Sequence, residues 1–335
     1  MESGPLRTPP VNVGTREAGA RGASRHAFTV DVEDYYHVDA FSRHISREDW
    51  SNYESRVVRN TRCILRILEE HGVRGTFYIL GYVARKHPEL VREIHQAGHE
   101  VGCHGYWHQP VYRLSPDEFR ADLLLATDVL SDIIGERMIS FRAPNFSIRA
   151  DTLWALDVLA DAGYVIDSSI FPVVHDQYGI PDAERAPHWR PLSQGGIWEF
   201  PPSVYRCRFG NLPIAGGGYF RLFPFRATRW LMEQTATRDG LPLMFYIHPW
   251  EVDPDQPRIR SSWKSRFRHY QNLRTTERKL ERLVESLPFG TVTDALLAAD
   301  VGYAEEGSLA SGTGTPAPHA FGRPLHVTPV GWDQA

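Results

Sequence analysis

The sequence lacks several features that would assign it to a large functional class. It contains no run of about 18 apolar residues, so we expect no membrane-spanning helix. It has only three cysteines in 335 residues, an odd and widely spaced set that argues against a disulfide framework. It also lacks an excess of positive charge, because 37 Lys and Arg face 41 Asp and Glu, and this disfavours a nucleic-acid-binding protein.

The two ends of the chain lack the pattern of folded structure. Residues 1–25 are rich in Gly, Pro, Arg and Ala and contain no apolar core of a secretory signal. Residues 304–335 are rich in Gly, Ser, Pro and Thr. We therefore expect a disordered N-terminal extension and a disordered C-terminal tail. Together with the unpaired cysteines, this predicts a cytoplasmic protein, with the inner membrane face as a place where it would meet a lipid-linked substrate.

Between these ends, strand-like and helix-like segments alternate. Apolar, β-branched runs such as 26–30 and 99–103 are separated by helical patterns with proline near their starts and glycine at their ends. This alternation predicts an α/β domain with a mostly parallel sheet over residues 26–303. Residues 171–225 differ, being rich in Pro, Gly and aromatics, and predict a loop and hairpin elaboration near the site. Within it, residues 197–200 look like an edge strand.

Polar residues follow four of the apolar runs, at the points where the strands would end. The four clusters are Asp31-Val32-Glu33-Asp34, His104-Gly105-Tyr106-Trp107-His108, Arg142-Ala143-Pro144 and His248-Pro249-Trp250-Glu251. They supply carboxylates, a histidine pair, a fixed cation and a separate histidine, which is the inventory of a metal–water hydrolase. Their positions predict one barrel-like sheet with one active face.

The first two clusters contain candidate metal ligands. Asp31, Glu33 and Asp34 place three carboxyls within four residues, and such groups usually need a cation to stay ionised together. The functional interpretation is one base and one ligand, whereas a turn or helix cap remains the structural alternative. The spacing of His104 and His108 lets two imidazoles face one ion. Two histidines with one carboxylate would leave coordination positions open for water and substrate.

The later clusters contain candidate orienting and acid groups. Arg142 follows a strand and is suited to holding the base carboxylate ionised. Asp167 follows the strand at 164–166, where it would either bond an imidazole or cap a turn. His248 ends a strongly apolar strand, and we favour a general acid over a packing residue there.

Taken together, these motifs resemble the polysaccharide deacetylase family, also called the NodB-homology or carbohydrate esterase 4 family, over about residues 26–300. The resemblance implies a distorted (β/α) barrel and a divalent metal, with zinc as the expected ion. It implies that Asp31 is the base, Arg142 its orienting residue, His248 the acid and Asp167 the residue that tunes it, with His104, His108 and either Glu33 or Asp34 as metal ligands.

The first motif departs from the two adjacent aspartates of the commonest family form. Its Asp-x-Glu-Asp pattern resembles the branch of allantoinase-like and peptidoglycan deacetylase-like members. Spacing in that branch favours Glu33 as third ligand, whereas residue type favours Asp34. The runs DVEDYYHV, FRAPNFS, DSSIFP and HPWEVDPDQPR, together with Phe267–Leu273, resemble the deacetylases found with exosortase and exopolysaccharide gene clusters.

The function implied by this resemblance is removal of N-acetyl groups from amino sugars. The substrate would be a polysaccharide or a lipid-linked oligosaccharide precursor of exopolysaccharide or cell wall, with Tyr106, Trp107, Tyr219 and Trp250 as candidate sugar-stacking surfaces. Two alternatives remain, a cyclic amide hydrolase of the allantoinase-like kind and a non-catalytic carbohydrate-binding protein. We expect no nucleic-acid partner, and the sequence leaves the oligomeric state open.

Overall fold

A computed structural model describes residues 25–42, 44–175 and 178–299 of the chain. The predicted extensions at 1–25 and 304–335 lie outside these residues, except for Arg25. The strands are β1 (His26–Val32), β2 (Thr76–Ile79), β3 (Glu100–Cys103), β4 (Ser140–Phe141), β5 (Ile166–Asp167), β6 (His188–Pro191), β7 (Gly196–Glu199), β8 (Val204–Cys207), β9 (Gly210–Pro213), β10 (Met244–Ile247) and β11 (Phe289–Gly290). The helices are α1 (Val57–Glu70), α2 (Gly81–Lys86), α3 (Pro88–Gln96), α4 (Pro116–Ile134), α5 (Trp154–Asp161), α6 (Gly217–Leu222), α7 (Phe225–Arg238), α8 (Trp263–Tyr270) and α9 (Leu273–Ser286), followed by a helical segment at 292–299.

Nine strands form one curled sheet in the order β10-β1-β2-β3-β4-β5-β7-β6, and β11 also pairs with β1. Every pair in this sheet is parallel except β6 with β7. Helices connect most of the parallel strands, as parallel pairing requires crossover connections. The architecture confirms the predicted fold class, a mostly parallel α/β sheet curled into a distorted (β/α) barrel.

Residue alternation along β1 decides which face of the sheet each side chain meets. Phe28 and Val30 pack into the large core beneath the helices, whereas Ala27 belongs to a smaller core on the opposite face, closed by the segment at 292–299. Because successive strand residues point to opposite faces, Thr29 and Asp31 share the inner face with Ala27. The inner face therefore carries the polar residues that sequence reasoning assigned to the site.

The predicted helix signals are present in the structure. Ser115 and Glu118 form the reciprocal capping box at the start of α4, and Gly135 ends it with a left-handed backbone, φ 74°. Pro88 opens α3 at its first helical position. None of the helices in the described part of the chain is long and apolar enough to cross a membrane.

The elaboration at 171–225 contributes both to the main sheet and to a separate hairpin. β6 and β7 extend the sheet, while β8 and β9 form an antiparallel two-stranded sheet of their own. The expectation that residues 197–200 form an edge strand is wrong. β7 lies between β5 and β6, so β6 takes the edge position and β7 is mostly buried.

Candidate active site

Strand register brings the polar clusters to one level of the sheet. Val30 pairs with Ile247, so Asp31 and His248 follow at neighbouring positions on β1 and β10. Cys103 pairs with Phe141, so the next residues, His104 and Arg142, also leave the sheet side by side. Because carboxyl ends of parallel strands meet at one edge, side chains separated by over 200 residues converge.

Arg142 and Asp31 form a buried ion pair. The Arg142 side chain has no exposed surface, and its Nη1 donates to Asp31 Oδ1 at 2.6 Å and to Thr29 Oγ1 at 2.8 Å. Its Nη2 donates to Ser168 Oγ at 3.0 Å, and the guanidinium lies 4.3 Å from the centre of the Tyr78 ring. A buried charge is tolerated only when an opposite charge and hydrogen bonds compensate for the lost water. The contacts fix one oxygen of Asp31 and leave Oδ2 facing the site.

Glu33, His104 and His108 form a buried group of possible metal ligands. One donor atom from each lies within 4.8 Å of the others, and His108 Nε2 is 2.7 Å from Glu33 Oε2. His104 Nδ1 lies 2.8 Å from the carbonyl oxygen of Arg142. A carbonyl only accepts, so Nδ1 carries the proton and the lone pair of Nε2 is available, as in metal-bound histidines.

Three observations fit this group to a divalent ion. Glu33 Oε2 is buried and has no well-aligned hydrogen bond within the described residues, even though His108 Nε2 lies 2.7 Å away. Burial lowers the pKa of His104 to about 4, which keeps the imidazole neutral, as a ligand must be. Burial alone would raise the pKa of Glu33, but the nearby His108 and the charge of His248 outweigh burial and lower the pKa. One carboxylate and two imidazoles suit zinc and related ions.

Two residues outside the trio hold it in place. Asp122 of α4 accepts hydrogen bonds from the backbone N–H of Tyr106 at 2.7 Å and of Trp107 at 3.1 Å, which shapes the loop between the two histidines. Trp250 Nε1 donates to Glu33 Oε1 at 3.1 Å. Sequence reasoning missed Asp122, because a carboxylate inside an ordinary amphipathic helix gives no signal of such a role.

The structure does not bring Asp34 into the trio. Its carboxylate accepts from the backbone N–H groups of Arg56 at 3.0 Å and Val57 at 3.3 Å, and from Ser55 Oγ at 2.7 Å. These groups surround the N-terminus of α1, where negative charge is favourable. Of the two alternatives for the third ligand, the structure therefore places Glu33 at the site and uses Asp34 as a helix cap.

His248 stands across the site from the trio. Its Nε2 lies 3.8 Å from Asp31 Oδ2 and 3.7 Å from Glu33 Oε1, and about 19% of its side chain is exposed. Its Nδ1 donates to Glu251 Oε1 at 2.8 Å. Burial lowers the pKa of His248, but the Glu251 hydrogen bond and the charges of Glu33 and Asp31 outweigh burial and raise it to about 9. The imidazolium form is thereby favoured.

The expectation that Asp167 pairs with His248 is wrong. The Asp167 carboxylate accepts from Ser169 N–H at 3.2 Å and Ser169 Oγ at 2.5 Å, and it also bonds Glu199. Burial raises the pKa of both carboxyls, and the charge of Asp167 raises that of Glu199 further, which favours a proton shared within the pair. Asp167 thus belongs to a carboxyl pair between β5 and β7, in which its hydrogen-bonding capacity is already used.

Glu251 has the role predicted for Asp167, because it is the carboxylate bonded to His248. Besides His248, it binds the buried Arg221, whose Nε lies 2.7 Å from Glu251 Oε2. Arg221 also donates to the carbonyl oxygens of His269 at 2.6 Å and Arg268 at 2.9 Å, which anchors the end of α8. Glu251 lies within the cluster that sequence reasoning singled out, three residues after His248, and that spacing was the available signal.

In comparisons with known proteins, two family models match consecutive segments of the chain, and the boundary between the segments lies at β5. A model of the family described as polysaccharide deacetylase matches residues 50–166. Residues 50–166 are therefore identified as a polysaccharide deacetylase domain. A second model, described as a domain of unknown function (DUF3473), matches residues 168–297, which contain His248 and Glu251.

Similar proteins agree with this assignment of the polysaccharide deacetylase domain. Over 95 residues the chain is 33% identical to a peptidoglycan-N-acetylglucosamine deacetylase of Bacillus cereus, covering 28% of this chain and 34% of the relative. Over 97 residues it is 29% identical to a chitooligosaccharide deacetylase of a Bradyrhizobium species, covering 29% and 42%. The chain thus spans about a third of the length of the first of these relatives and about two fifths of the second.

A solved structure supports the fold. A Mycobacterium smegmatis protein assigned to the polysaccharide deacetylases superimposes with a TM-score of 0.52 at 20% identity, over 90% of this chain and 97% of that one. The superposition extends through both matched segments, so the domain of unknown function is part of the same barrel.

Proposed function

We propose that this chain is a metal-dependent hydrolase that removes N-acetyl groups from amino sugars. The main support for the proposal is that a base, an acid and a group of possible metal ligands converge at one place in the fold. A fixed carboxylate oxygen, Asp31 Oδ2, and an imidazole nitrogen, His248 Nε2, lie 3.8 Å apart beside a buried Glu-His-His group. A purely carbohydrate-binding protein would need neither a base nor an acid in this relation.

The chain's own residues divide the chemistry among themselves. Glu33, His104 and His108 would hold a divalent ion, zinc by its ligand preference, which when bound supplies Lewis acidity toward an amide carbonyl and toward water. Asp31 accepts the proton of the attacking water at Oδ2, while Arg142 orients the carboxylate through its ion pair with Oδ1. His248 donates the proton at Nε2 to the leaving amine, and Glu251 holds the imidazole by Nδ1.

The substrate class rests on the relatives and on the motifs. The relatives named above act on N-acetylated sugars of peptidoglycan and chitooligosaccharides. We extend that class to this chain and, from the likeness of its motifs to exosortase-associated deacetylases, propose an exopolysaccharide or its lipid-linked precursor in the cytoplasm as substrate. Tyr106 and Trp250 are buried, so of the four aromatic candidates only the half-buried Trp107 and Tyr219 remain available for stacking against sugars.

Acetate release from a panel of N-acetylglucosamine oligomers tests the proposal. We expect release by the metal-loaded protein, and loss of both activity and bound metal in His104→Ala and His108→Ala. His44→Ala, at an exposed histidine, is the matched control and should keep both.

Two results would contradict the proposal in different ways. A full equivalent of metal in either ligand variant would show that the ion sits elsewhere. Hydrolysis of allantoin without acetate release from any oligomer would instead support a cyclic amide hydrolase.

A further inference from the structure

Helix α8 presents two large aromatic side chains to solvent. Trp263 is 74% exposed and Phe267 is 55% exposed. They are four residues apart, so they lie one above the other on the same face of the helix. Large apolar side chains exposed together on a soluble surface usually mark a binding site.

The segment around these aromatics is strongly and uniformly basic. Residues 258–270 carry five cationic side chains and no Asp or Glu. All five are exposed, and no ion pair joins any of them to a carboxylate within the residues that the structure describes. The five are Arg258, Arg260, Lys264, Arg266 and Arg268. This charge is therefore free to meet an anionic partner, although the chain as a whole has a net charge of −4.

Trp263 and Phe267, with the cations Lys264, Arg266 and Arg268, form what we call the basic aromatic face of α8. The helix that carries this face is anchored close to the catalytic centre. Arg221 binds the carbonyl oxygens of Arg268 and His269 at the end of the helix. His269 stacks on Trp250 with ring centres 4.2 Å apart, and Trp250 stacks on His248 at 5.1 Å. His269 of α8 is therefore connected to His248 through the ring of Trp250. A partner bound to α8 would lie close to the catalytic site.

We propose that the basic aromatic face of α8 docks on an anionic lipid surface. Exposed Trp and Phe suit the boundary between headgroups and acyl chains, while Lys and Arg beside them are attracted to anionic headgroups. A soluble polyanion would bind the cations but leave Trp263 and Phe267 in water. A lipid surface would contact both the cations and the aromatic side chains, so it fits the face better. Docking of this kind needs no membrane-spanning helix.

Co-sedimentation of the full chain with vesicles tests this inference. The vesicles contain phosphatidylcholine alone or mixed with phosphatidylglycerol, at low and high salt. Three double variants are compared, W263S/F267S, K264Q/R266Q and a matched control, R208Q/F209S. The control removes a cation and an aromatic side chain that is 83% exposed on the β8–β9 turn, outside α8.

We expect binding to the mixed vesicles that weakens at high salt and is weak or absent with phosphatidylcholine alone. K264Q/R266Q should lower the partition coefficient about fivefold for each charge removed. W263S/F267S should lower it by about tenfold or more, because the aromatic anchors are lost. The control should bind like the wild type, and all variants should deacetylate soluble oligomers at the wild-type rate, which separates this inference from the proposed function.

Several outcomes would overturn the inference. Equal binding to both vesicle types would remove the role of charge, and an equal loss in the control would make the effect one of general surface hydrophobicity. Absence of wild-type binding to either vesicle type would reject the lipid surface. In that case, binding to soluble heparin would assign the face to a polyanion, and a dimer lost in W263S/F267S would assign it to a second copy.

Discussion

At the scale of single residues, neighbouring carboxylates have separate tasks that only long-range contacts reveal. The alternation along β1 and the motif order are enough to predict Asp31 beside Arg142. The choice between Glu33 and Asp34 is not predictable in this way. It depends on the backbone N–H groups of Arg56 and Val57, which reach Asp34 because α1 begins there in the folded chain. The residues next to Asp34 in the sequence give no indication of this contact with α1.

Asp31→Asn and Asp34→Asn therefore should have opposite effects. Asp31→Asn should lower the deacetylation rate per folded molecule roughly 10²–10⁴-fold and leave bound metal unchanged, because it removes the base but no metal ligand. It also breaks the buried ion pair with Arg142, so some loss of stability is expected as well. Asp34→Asn should cost about 1 kcal/mol of folding stability through the weakened cap of α1, with near-normal rate per folded molecule. Acetate release, metal analysis and thermal unfolding of both variants measure these effects.

The opposite pattern would exchange the roles of the two residues. If Asp34→Asn lost metal while keeping its stability, Asp34 would be a ligand despite its contacts with α1. If Asp31→Asn retained a rate within a few-fold of the wild type, another carboxylate would be the base.

Glu251→Gln should change the pH dependence of the rate, whereas Asp167→Asn should not. Glu251 raises the pKa of His248, so removing its charge should move the alkaline limb of the profile to lower pH and reduce the maximal rate. Asp167→Asn alters the buried pair with Glu199 and should lower the unfolding temperature without shifting that limb. A pH–rate profile for each variant, with bound metal measured alongside, tests this; a shifted limb in Asp167→Asn alone would restore the original assignment.

At the scale of secondary structure, regular alternating segments were predictable and irregular ones were not. The parallel strands and the capped helix α4 follow from periodicity and start signals. The interior position of β7 does not, because it depends on β6 folding back against it. Helix α8 was also missed, since its face is polar and aromatic rather than apolar, and contacts of Arg221 with its carbonyl oxygens hold it in place.

Two buried histidines near the strand starts should make the fold sensitive to acid. His99 Nδ1 accepts from Gly75 N–H at 3.1 Å, and His26 Nδ1 accepts from Leu243 N–H at 3.2 Å. Burial lowers the pKa of each to about 4, from 6.5. The unfolded chain thus binds more protons between pH 6.5 and 4. Stability should be full above pH 6.5 and fall as pH drops, by up to about 1.4 kcal/mol per pH unit per histidine.

His99→Asn tests this acid sensitivity. Asparagine can still accept a hydrogen bond but does not titrate, so the variant should lose less stability than the wild type between pH 6.5 and 5. The exposed His44→Asn is the control and should keep the wild-type slope. Denaturant unfolding at several pH values gives the slopes, and identical slopes for His99→Asn and the wild type would argue that His99 does not carry the effect.

At the scale of the whole molecule, neither matched segment contains a complete site. His104, His108 and Arg142 belong to the segment 50–166, whereas His248 and Glu251 belong to 168–297. Asp31 and Glu33 come from β1 and the residues after it, which precede both. β1 joins the halves, because it pairs with β2 on one side and β10 on the other.

The two halves should therefore fail to fold separately. A fragment of residues 25–167 keeps β1 to β5 but lacks β10 and β11, so β1 would expose an unpaired apolar edge. We expect the fragment to show no cooperative thermal transition and no near-ultraviolet circular dichroism, unlike residues 25–299. A cooperative transition in the fragment alone would show that the first half is an independent folding unit.

The pairing of β1 with β10 also has a consequence in time. Ala27 leaves the ribosome before its partner Met244, which follows only after another 217 residues. At bacterial and eukaryotic rates of synthesis, about 5–20 residues per second, β1 waits on the order of 10–40 s for its second neighbour. Throughout that interval an aggregation-prone strand edge is exposed on the nascent chain. Production of this protein should consequently depend on chaperones that bind nascent chains, and on how quickly the ribosome reaches β10.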